Sequence, residues 1–521
     1  MAQMFSSRAI RLLLVMALLG AGSCNNSGGG SAGDTISCGA AECRLVASDA
    51  FADDGFGGGV GIAADVIAVG SPRDDDLGSK SGAVYVYRQM GTQWIEEQKL
   101  LAGDGAADDQ FGAAIAMDDD LIVVGARFHD SATGVVDAGA VYVFRFSVGS
   151  WTEEQRLEGD DDEISFGASL DVEDDLIVVG APKDSDDGLN SGAVYVFRYN
   201  AGSWVRELKI KPLAVLDPDT DPAGDPPDNI RESDGFGTAV SIDKDNGLDP
   251  DKDVIVVGAP GDDVLIQRFV ESNEMLPNAD WQGAGTVYVF RSNSTAWVQE
   301  DRIFAQRLPR IAPNTGGLGC QISGTSPFVR EEGSQPDVLY LDSDHSFRSD
   351  KNNNALFGES VSVDNGVLAV GSSRHDRFRG TDLNVCDVNV KNGTDTGSGY
   401  VYRYNSFTSS WDFQAQIEVS DNGVGAFTGE SIDIDGETIV MSRRVDSQTA
   451  ENAGAVYVFR YDRDDPLLWL EDEKVLASDG EAFDGFGGSL AVDGGTVIVG
   501  AAATAQVGPL SGSAYAIDVS P

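Results

Sequence analysis

One pattern recurs seven times along this chain, and it governs what the chain can fold into. Its clearest copy begins at Phe111-Gly112, continues as an alternating apolar segment to Met117, and turns at Asp118-Asp119-Asp120. Leu121-Ile122-Val123-Val124-Gly125-Ala126 follows, then an acidic or glycine-rich loop, then Gly139-Ala140-Val141-Tyr142-Val143-Phe144, and finally Trp151 six residues ahead of Leu157. Phe-Gly recurs at Phe56, Phe111, Phe166, Phe236, Phe357 and Phe486, with the variant Phe427-Thr428-Gly429. The aromatic of the third segment recurs at Tyr85, Tyr142, Tyr195, Tyr288, Tyr402, Tyr457 and Tyr515. Tryptophan six residues ahead of an apolar residue recurs at Trp94, Trp151, Trp204, Trp297, Trp411 and Trp469.

Each copy holds four short runs of Val, Ile, Tyr and Phe divided by turn signals, and none carries a helical period. Asp364-Asn365-Gly366 and Asp493-Gly494-Gly495 suit tight hairpins with positive φ. The fold class read from this is all-β: a seven-bladed β-propeller of four-stranded antiparallel blades. Such a blade cannot bury its faces alone, so the 521 residues are expected to form one radial unit rather than several domains. The last copy reaches Tyr515 without a Trp-led fourth strand, while Arg44-Leu45-Val46-Ala47-Ser48-Asp49 matches Lys99-Leu100-Leu101-Ala102-Gly103-Asp104. The N-terminal strand is therefore predicted to complete the last blade and close the ring.

The balance of 36 basic against 85 acidic residues gives a formal net charge of −49. Phosphate backbones and anionic lipid surfaces would be repelled, so nucleic acid is excluded as a partner. Divalent cations and cationic surfaces are compatible, and so is the plain reading that acid keeps a large β-protein soluble. Arg8 and Arg11 precede the apolar run Leu12 to Leu19 and the small residues Gly20-Ala21-Gly22-Ser23 before Cys24, the layout of a secretory signal peptide. Ending on Cys24, it resembles a bacterial lipoprotein signal, with Ala21 where that family usually has Leu. The expected organisation is a signal peptide at 1–23, a lipid-anchored flexible tether at 24–42 and the propeller at 43–521. Membrane contact would then be through the lipid alone, and the protein would sit extracytoplasmically at the bacterial cell envelope. Plain secretion is the alternative. Cys38, Cys43, Cys320 and Cys386 remain, an even number suited to two disulfides in an oxidising compartment. The pairs expected are Cys38 with Cys43 and Cys320 with Cys386.

Phe166-Gly167 followed by Val179-Gly180-Ala181-Pro182 resembles the FG-GAP repeat of integrin α-subunit propellers and many bacterial surface proteins. The resemblance spans about residues 43–521 and departs at Val440-Met441-Ser442 and Ala501-Ala502-Ala503. In that family calcium occupies a D-x-D-x-D-G-x-x-D loop in the first hairpin of several blades. Only the fourth copy here has a first hairpin long enough, from Asp243 to Asp253. Asp243, Asp245 and Asp251 fit the family's first, third and ninth positions, whereas Gly247 and Leu248 depart from it. Alternating carboxylates on a tight loop converge oxygens as calcium requires, so Asp243, Asp245, Asp249, Asp251 and Asp253 are the candidate ligands. A solvated acidic loop is the alternative.

Copy spacing locates added sequence. Phe56 to Phe111 and Phe111 to Phe166 are each 55 residues, but Phe166 to Phe236 is 70 and Phe236 to Phe357 is 121. The excess falls at about 211–233, 261–284, 305–356 and 372–398, all in links that an up-and-down blade places on one face. Loops on a rigid scaffold commonly carry binding. Trp281, Phe269, Phe328, Phe347, Phe378, Arg374, Arg377 and Arg379 make this region an aromatic and basic patch, of which Trp281, Phe378, Arg374, Arg377 and Arg379 are the candidate ligand contacts. Short acidic links such as Asp74-Asp75-Asp76 and Asp184-Ser185-Asp186-Asp187 read as solvated turns. His129, His345 and His375 are the only histidines, and none stands in a nucleophile motif. His345 and His375, beside Asp344 and Asp376, are the one acid–base pair worth naming. No catalytic residue is assigned. The expected function is a cell-surface binding or adhesion propeller for a protein or glycan, using loops over blades four and five, with calcium as candidate cofactor. A glycan hydrolase or lyase using loop acids, or a purely structural envelope protein, are the alternatives.

Overall fold

The computed structural model describes residues 37–38, 42–160, 165–211, 233–244, 253–262, 264–266, 279–281, 285–293, 296–304, 355–374, 395–421, 423, 425–463, 469–504 and 510–520. Their regular elements are all strands, and these build seven four-stranded antiparallel blades. Blade one is Val60–Ala63, Val66–Ser71, Ala83–Met90 and Gln93–Leu100; blade two is Ala114–Asp118, Leu121–Ala126, Ala140–Ser147 and Ser150–Leu157. Blade three is Ser169–Glu173, Leu176–Ala181, Ala193–Asn200 and Ser203–Ile210; blade four is Ala239–Asp243, Val254–Ala259, Thr286–Ser292 and Trp297–Ile303. Blade five is Ser360–Asp364, Val367–Ser372, Ser398–Asn405 and Ser410–Ile417; blade six is Ile432–Asp435, Thr438–Arg443, Ala455–Tyr461 and Trp469–Val475. Blade seven takes Ser489–Asp493, Thr496–Ala501 and Ser513–Asp518, and its outer strand is the N-terminal Glu42–Leu45. The N-terminal strand thus closes the ring, as the sequence predicts. Ser37–Cys38 pairs beyond Glu42–Leu45, with Cys38 opposite Cys43 in register.

The first strands stand side by side around the axis, with Val60–Ala63 touching Ala114–Asp118 on one side and Ser489–Asp493 on the other. Turns between first and second strands, and between third and fourth, lie on one face, here the hairpin face. Links between second and third strands, and from one blade to the next, lie on the opposite link face.

The two ends of the repeat motif meet at each joint between blades. At six joints the glycine closing a second strand abuts the Phe-Gly glycine of the next blade, and at the joint of blades six and seven Ser442 stands against Gly487. A Cβ on Gly70 would stand 1.9 Å from the Gly112 carbonyl oxygen, and one on Gly500 would stand 2.2 Å from that of Gly57. Backbones this close leave no room for a side chain. The phenylalanine then fills its own blade's third-strand aromatics edge-on, with Phe111 5.4 Å from Tyr142 and Phe166 5.2 Å from Tyr195. Phe56, Phe111 and Phe166 are fully buried, each contributing about 2–3 kcal/mol of apolar burial. In the fifth copy the in-phase aromatic is Tyr400, not Tyr402. Tyr400 faces Val370 as Tyr85 faces Val69, and its ring lies 5.3 Å from Phe357. Gly399 disguises the phase, but Gly397 bridges to the next blade at Thr428 and so holds the motif position.

The Trp-to-Leu spacing of six acquires a physical meaning in the outer strands. Each of the six Trp-led strands carries a bulge that shifts its register midway, between Glu153 and Gln155 in blade two for example. One extra residue reverses which side chains face which side. Trp151 therefore packs in the core shared by blades one and two, whereas Leu157 packs in the core shared by blades two and three. Between outer strands, the Gln98 amide clasps the backbone of Trp151, donating to its carbonyl at 2.8 Å and accepting its N–H at 2.9 Å.

Candidate functional site

Four residues past the second-strand glycine stands a group that the sequence analysis counted among solvated turns. In blade one it is Asp74, and it is buried. Its carboxylate accepts the Asp76 N–H at 3.0 Å and the Tyr85 hydroxyl at 3.0 Å, and Lys99 Nζ lies 2.8 Å away. Lys99 also reaches Asp49 at 2.9 Å and Asp76 at 2.7 Å. Burial alone would depress the Lys99 ammonium, but these three carboxylates raise it.

The cluster repeats with substitutions. Asp184 pairs with Lys209 at 2.6 Å, Asp262 with Arg302 at 2.8 Å, and Asp446 with Lys474 at 2.8 Å. Blade two places His129 there, with Nδ1 2.9 Å from Asp109, and that hydrogen bond raises the imidazole above its usual value against the effect of burial. Blade seven uses the Thr504 hydroxyl, which donates to Ser513 at 3.0 Å. Burial followed by the neighbouring carboxylates raises the Tyr85, Tyr142, Tyr457 and Tyr515 phenols, so they remain neutral donors. These clusters are anchors that fix each link to its blade. The reading of Asp74 and Asp184 as solvated turn residues is corrected: a backbone turn and a lysine hold each buried carboxylate, and at Asp74 the Tyr85 hydroxyl joins them. Their constant offset from the glycine was the signal that would have revealed them.

A second array rims the axis on the hairpin face. The last residue of the first strand is a carboxylate in six blades: Asp118, Glu173, Asp243, Asp364, Asp435 and Asp493, with Ala63 in blade one. Each accepts a backbone N–H from the hairpin of the following blade. Asp118 takes Asp174 at 2.6 Å, Glu173 takes Lys244 at 2.8 Å, and Asp243 takes Gly366 at 2.8 Å. Asp364 takes Gly436 at 2.6 Å, Asp435 takes Gly494 at 2.8 Å, and Asp493 takes Ala64 at 2.6 Å across the closure. Two residues further in, Asp171 accepts Ile242 N–H at 2.7 Å and Asp433 accepts Val492 N–H at 2.8 Å. First strands are edge strands facing the axis, and these acids satisfy donors that the ladder leaves unpaired. Burial pushes Asp171 up to about 7, Glu173 up to about 8 and Asp433 up to about 6, outweighing the hydrogen bonds that lower them.

Asp243 is therefore turned to the neighbouring blade rather than free for a cation, and Asp253 is buried at the foot of the second strand. Lys244 bridges to Asp175 at 2.6 Å between them. Asp245, Asp249 and Asp251 lie outside the described residues, as do Cys24, Cys320, Cys386, His345, His375, Phe378, Arg377 and Arg379. Among the candidate ligand contacts, Arg374 is exposed just past the second strand of blade five, and Trp281 ends a short strand, Ala279–Trp281, paired with Val264–Ile266. That small hairpin inside the 261–284 insertion was not expected from the sequence. Among the described residues no three His, Cys, Asp or Glu side chains converge as a metal site. A groove of about 380 Å³ between the outer strands of blades two and three is lined by Gln155, Arg156, Glu158, Asp160, Phe197 and Arg206, and its arginines already pair with Asp104, Glu158 and Asp160.

A family model described as FG-GAP repeat matches residues 40–87, 94–144, 151–197, 411–459 and 469–517. The matches skip blade four and all of blade five but its outer strand, where sequence has been added, although the joints there keep the same geometry. Among solved structures, the crystal structure of the Saccharomyces cerevisiae protein Sqt1 is similar over 91% of this chain and 98% of that one, at 10% identity and a TM-score of 0.39. With five matched segments and seven four-stranded blades, six of whose seven joints set glycine against glycine, the chain is an FG-GAP repeat β-propeller protein.

Proposed function

We propose that this propeller is an extracytoplasmic recognition or adhesion module that holds a protein or glycan partner on its link face, over blades four and five. One observation carries the reading. The strands flanking all four enlarged segments (Ile210, Ala259, Ile303 and Ser372 at their departures) end on that same face. A scaffold that enlarges one set of links far more than its hairpin turns concentrates variable surface where a partner can reach it. Export through the N-terminal segment, lipidation at Cys24, bridges between Cys38 and Cys43 and between Cys320 and Cys386, and calcium on the Asp243–Asp253 loop belong to the same proposal. The register that sets Cys38 opposite Cys43 favours the first bridge.

The test replaces 305–354 and 375–394 by short Gly/Ser connectors in the full chain and measures retention of the source organism's own cell-surface fraction. Loss of retention at unchanged melting temperature is the expected result. Undiminished retention by the folded variant would overturn the assignment.

A further inference from the structure

At the link-face end of the axis the blades answer one electrostatic problem in two ways. The turn just past the second strand carries Arg73 in blade one, Arg127-Phe128 in blade two, Lys183 in blade three, Arg374 in blade five and Arg444 in blade six. Blade six neutralises its cation, with Arg444 pairing to Glu430 at 2.9 Å. Blade five holds Glu359 at the matching position, within the field of Arg374. At that same position blades one to three have Gly58, Ala113 and Ala168. The acid has been left out three times running, in a chain with 85 acids and 36 bases.

Three cations consequently lack any ion pair with a described carboxylate: Arg73, Arg127 and Lys183. Two of them converge across a joint. The Arg127 guanidinium carbon lies 4.8 Å from the centroid of the Phe128 ring, and Lys183 Nζ of the next blade lies 6.0 Å from the same ring. Arg127 is half-buried, and its Nε is sealed from solvent without a hydrogen-bond acceptor. A guanidinium donor in that condition costs about 1–3 kcal/mol unless an acceptor arrives. Burial alone depresses the Arg127 guanidinium, with no anion offsetting it. By contrast Lys99, one link away, touches three carboxylates.

We propose that the arc of blades one to three around this mouth binds the carboxylate of an acidic ligand. Arg127 supplies a planar, two-toothed donor through its terminal nitrogens, Lys183 meets it over the Phe128 ring, which forms an apolar floor, and Arg73 adds a further cation on blade one. The ligand carries one or two negative charges rather than many. A polyanion would meet the repulsion of a protein at −49, whereas a single carboxylate exchanges water only for local cations. The site uses no residue of the enlarged segments over blades four and five, so it stands apart from the surface assigned above.

Calorimetric titration of the full chain at low ionic strength tests it with three probes: glucuronate, N-acetylglutamate and glucose. Saturable uptake of either acid, with none of glucose, is expected, and which acid binds distinguishes a sugar source from a peptide source. Lys183→Gln should weaken uptake about tenfold, the worth of one charge-assisted hydrogen bond. Arg444→Gln, whose cation is already paired, should leave it unchanged. Absence of saturable uptake of both acids would overturn the proposal. So would equal weakening by Arg444→Gln and Lys183→Gln, which would mark a diffuse field rather than a site.

Discussion

The Glu42 carboxylate accepts the Ser478 hydroxyl at 2.6 Å, joining positions 436 apart in the chain. The same bond joins Glu96 to Ser48 at 2.6 Å and Glu471 to Ser420 at 2.7 Å. Arg44 reaches Asp479 at 3.3 Å, as Lys99 reaches Asp49 at 2.9 Å. The N-terminal strand therefore enters blade seven with the same serine–glutamate and cation–aspartate contacts that other outer strands make.

The inter-blade glycines should be intolerant of the smallest side chain. Gly70→Ala would drive a methyl to 1.9 Å from the Gly112 carbonyl oxygen, whereas a Cβ on Gly91 meets nothing within 4 Å. Gly91 has φ 68°, so its substitution carries only modest strain. Urea unfolding should show Gly70→Ala destabilised by about 3 kcal/mol and Gly91→Ala by about 1 kcal/mol. Equal losses would contradict the close approach.

The buried link acids should depend on their cations. Lys209→Met strands Asp184, whose side chain is 1% exposed, and should cost about 3 kcal/mol. Adding Asp184→Asn should restore part of that stability, because a neutral amide is cheaper to bury. A double variant less stable than Lys209→Met would argue against an ionic anchor.

Stability should fall as pH rises from 5 to 9. Asp171, Glu173 and Asp433 are held by burial at about 7, 8 and 6. Above pH 4 the unfolded chain has released these protons while the fold still keeps them, so raising pH through that window favours unfolding. His129 acts in the same direction. Its bond to Asp109 raises the folded value, so its stabilisation is complete below the unfolded value of about 6.5 and is lost as pH passes the folded one. Asp49, Asp104 and Asp421 are largely exposed; what burial they have raises them, but their tyrosine and cation partners outweigh it and hold them below the usual range, so they matter only in more acid solution. Melting temperatures across this range should decline, and Asp171→Asn with Glu173→Gln should flatten the decline. A profile rising from pH 5 to 9 would refute the assignment.

Calcium is expected to raise the melting temperature by a few degrees, reversed by excess chelator. Because Asp243 already serves Gly366, the informative variant is Asp251→Asn. Loss of the calcium response in that variant is the expected outcome, and an unchanged response would move the ion elsewhere.

Much of the fold was legible because the repeat is in phase with the physics. The glycines mark backbone contact, the Phe and Tyr mark the edge-on pair, and Arg44-Leu45 marks a strand in search of its blade. Other features lay hidden. The outer-strand bulge makes Trp151 and Leu157 face opposite neighbours although six is an even spacing, and no residue type announces it. Gly399 drew the fifth copy's aromatic two residues out of phase. Asp74 looked like one acid among many, since a carboxylate in an acidic turn reads as solvated until its Tyr85 and Lys99 partners are seen in space. The unpaired Arg127 escaped notice for the converse reason: sequence displays charges but not which of them lack partners.

Closure of the ring by the N-terminal strand is tested most directly by hydrogen exchange on the full chain. Amides of Glu42–Leu45 and Ser513–Asp518 should exchange as slowly as those of Ala140–Ser147 and Ser150–Leu157 in blade two. Rapid exchange at Glu42–Leu45, with blade two still protected, would contradict closure.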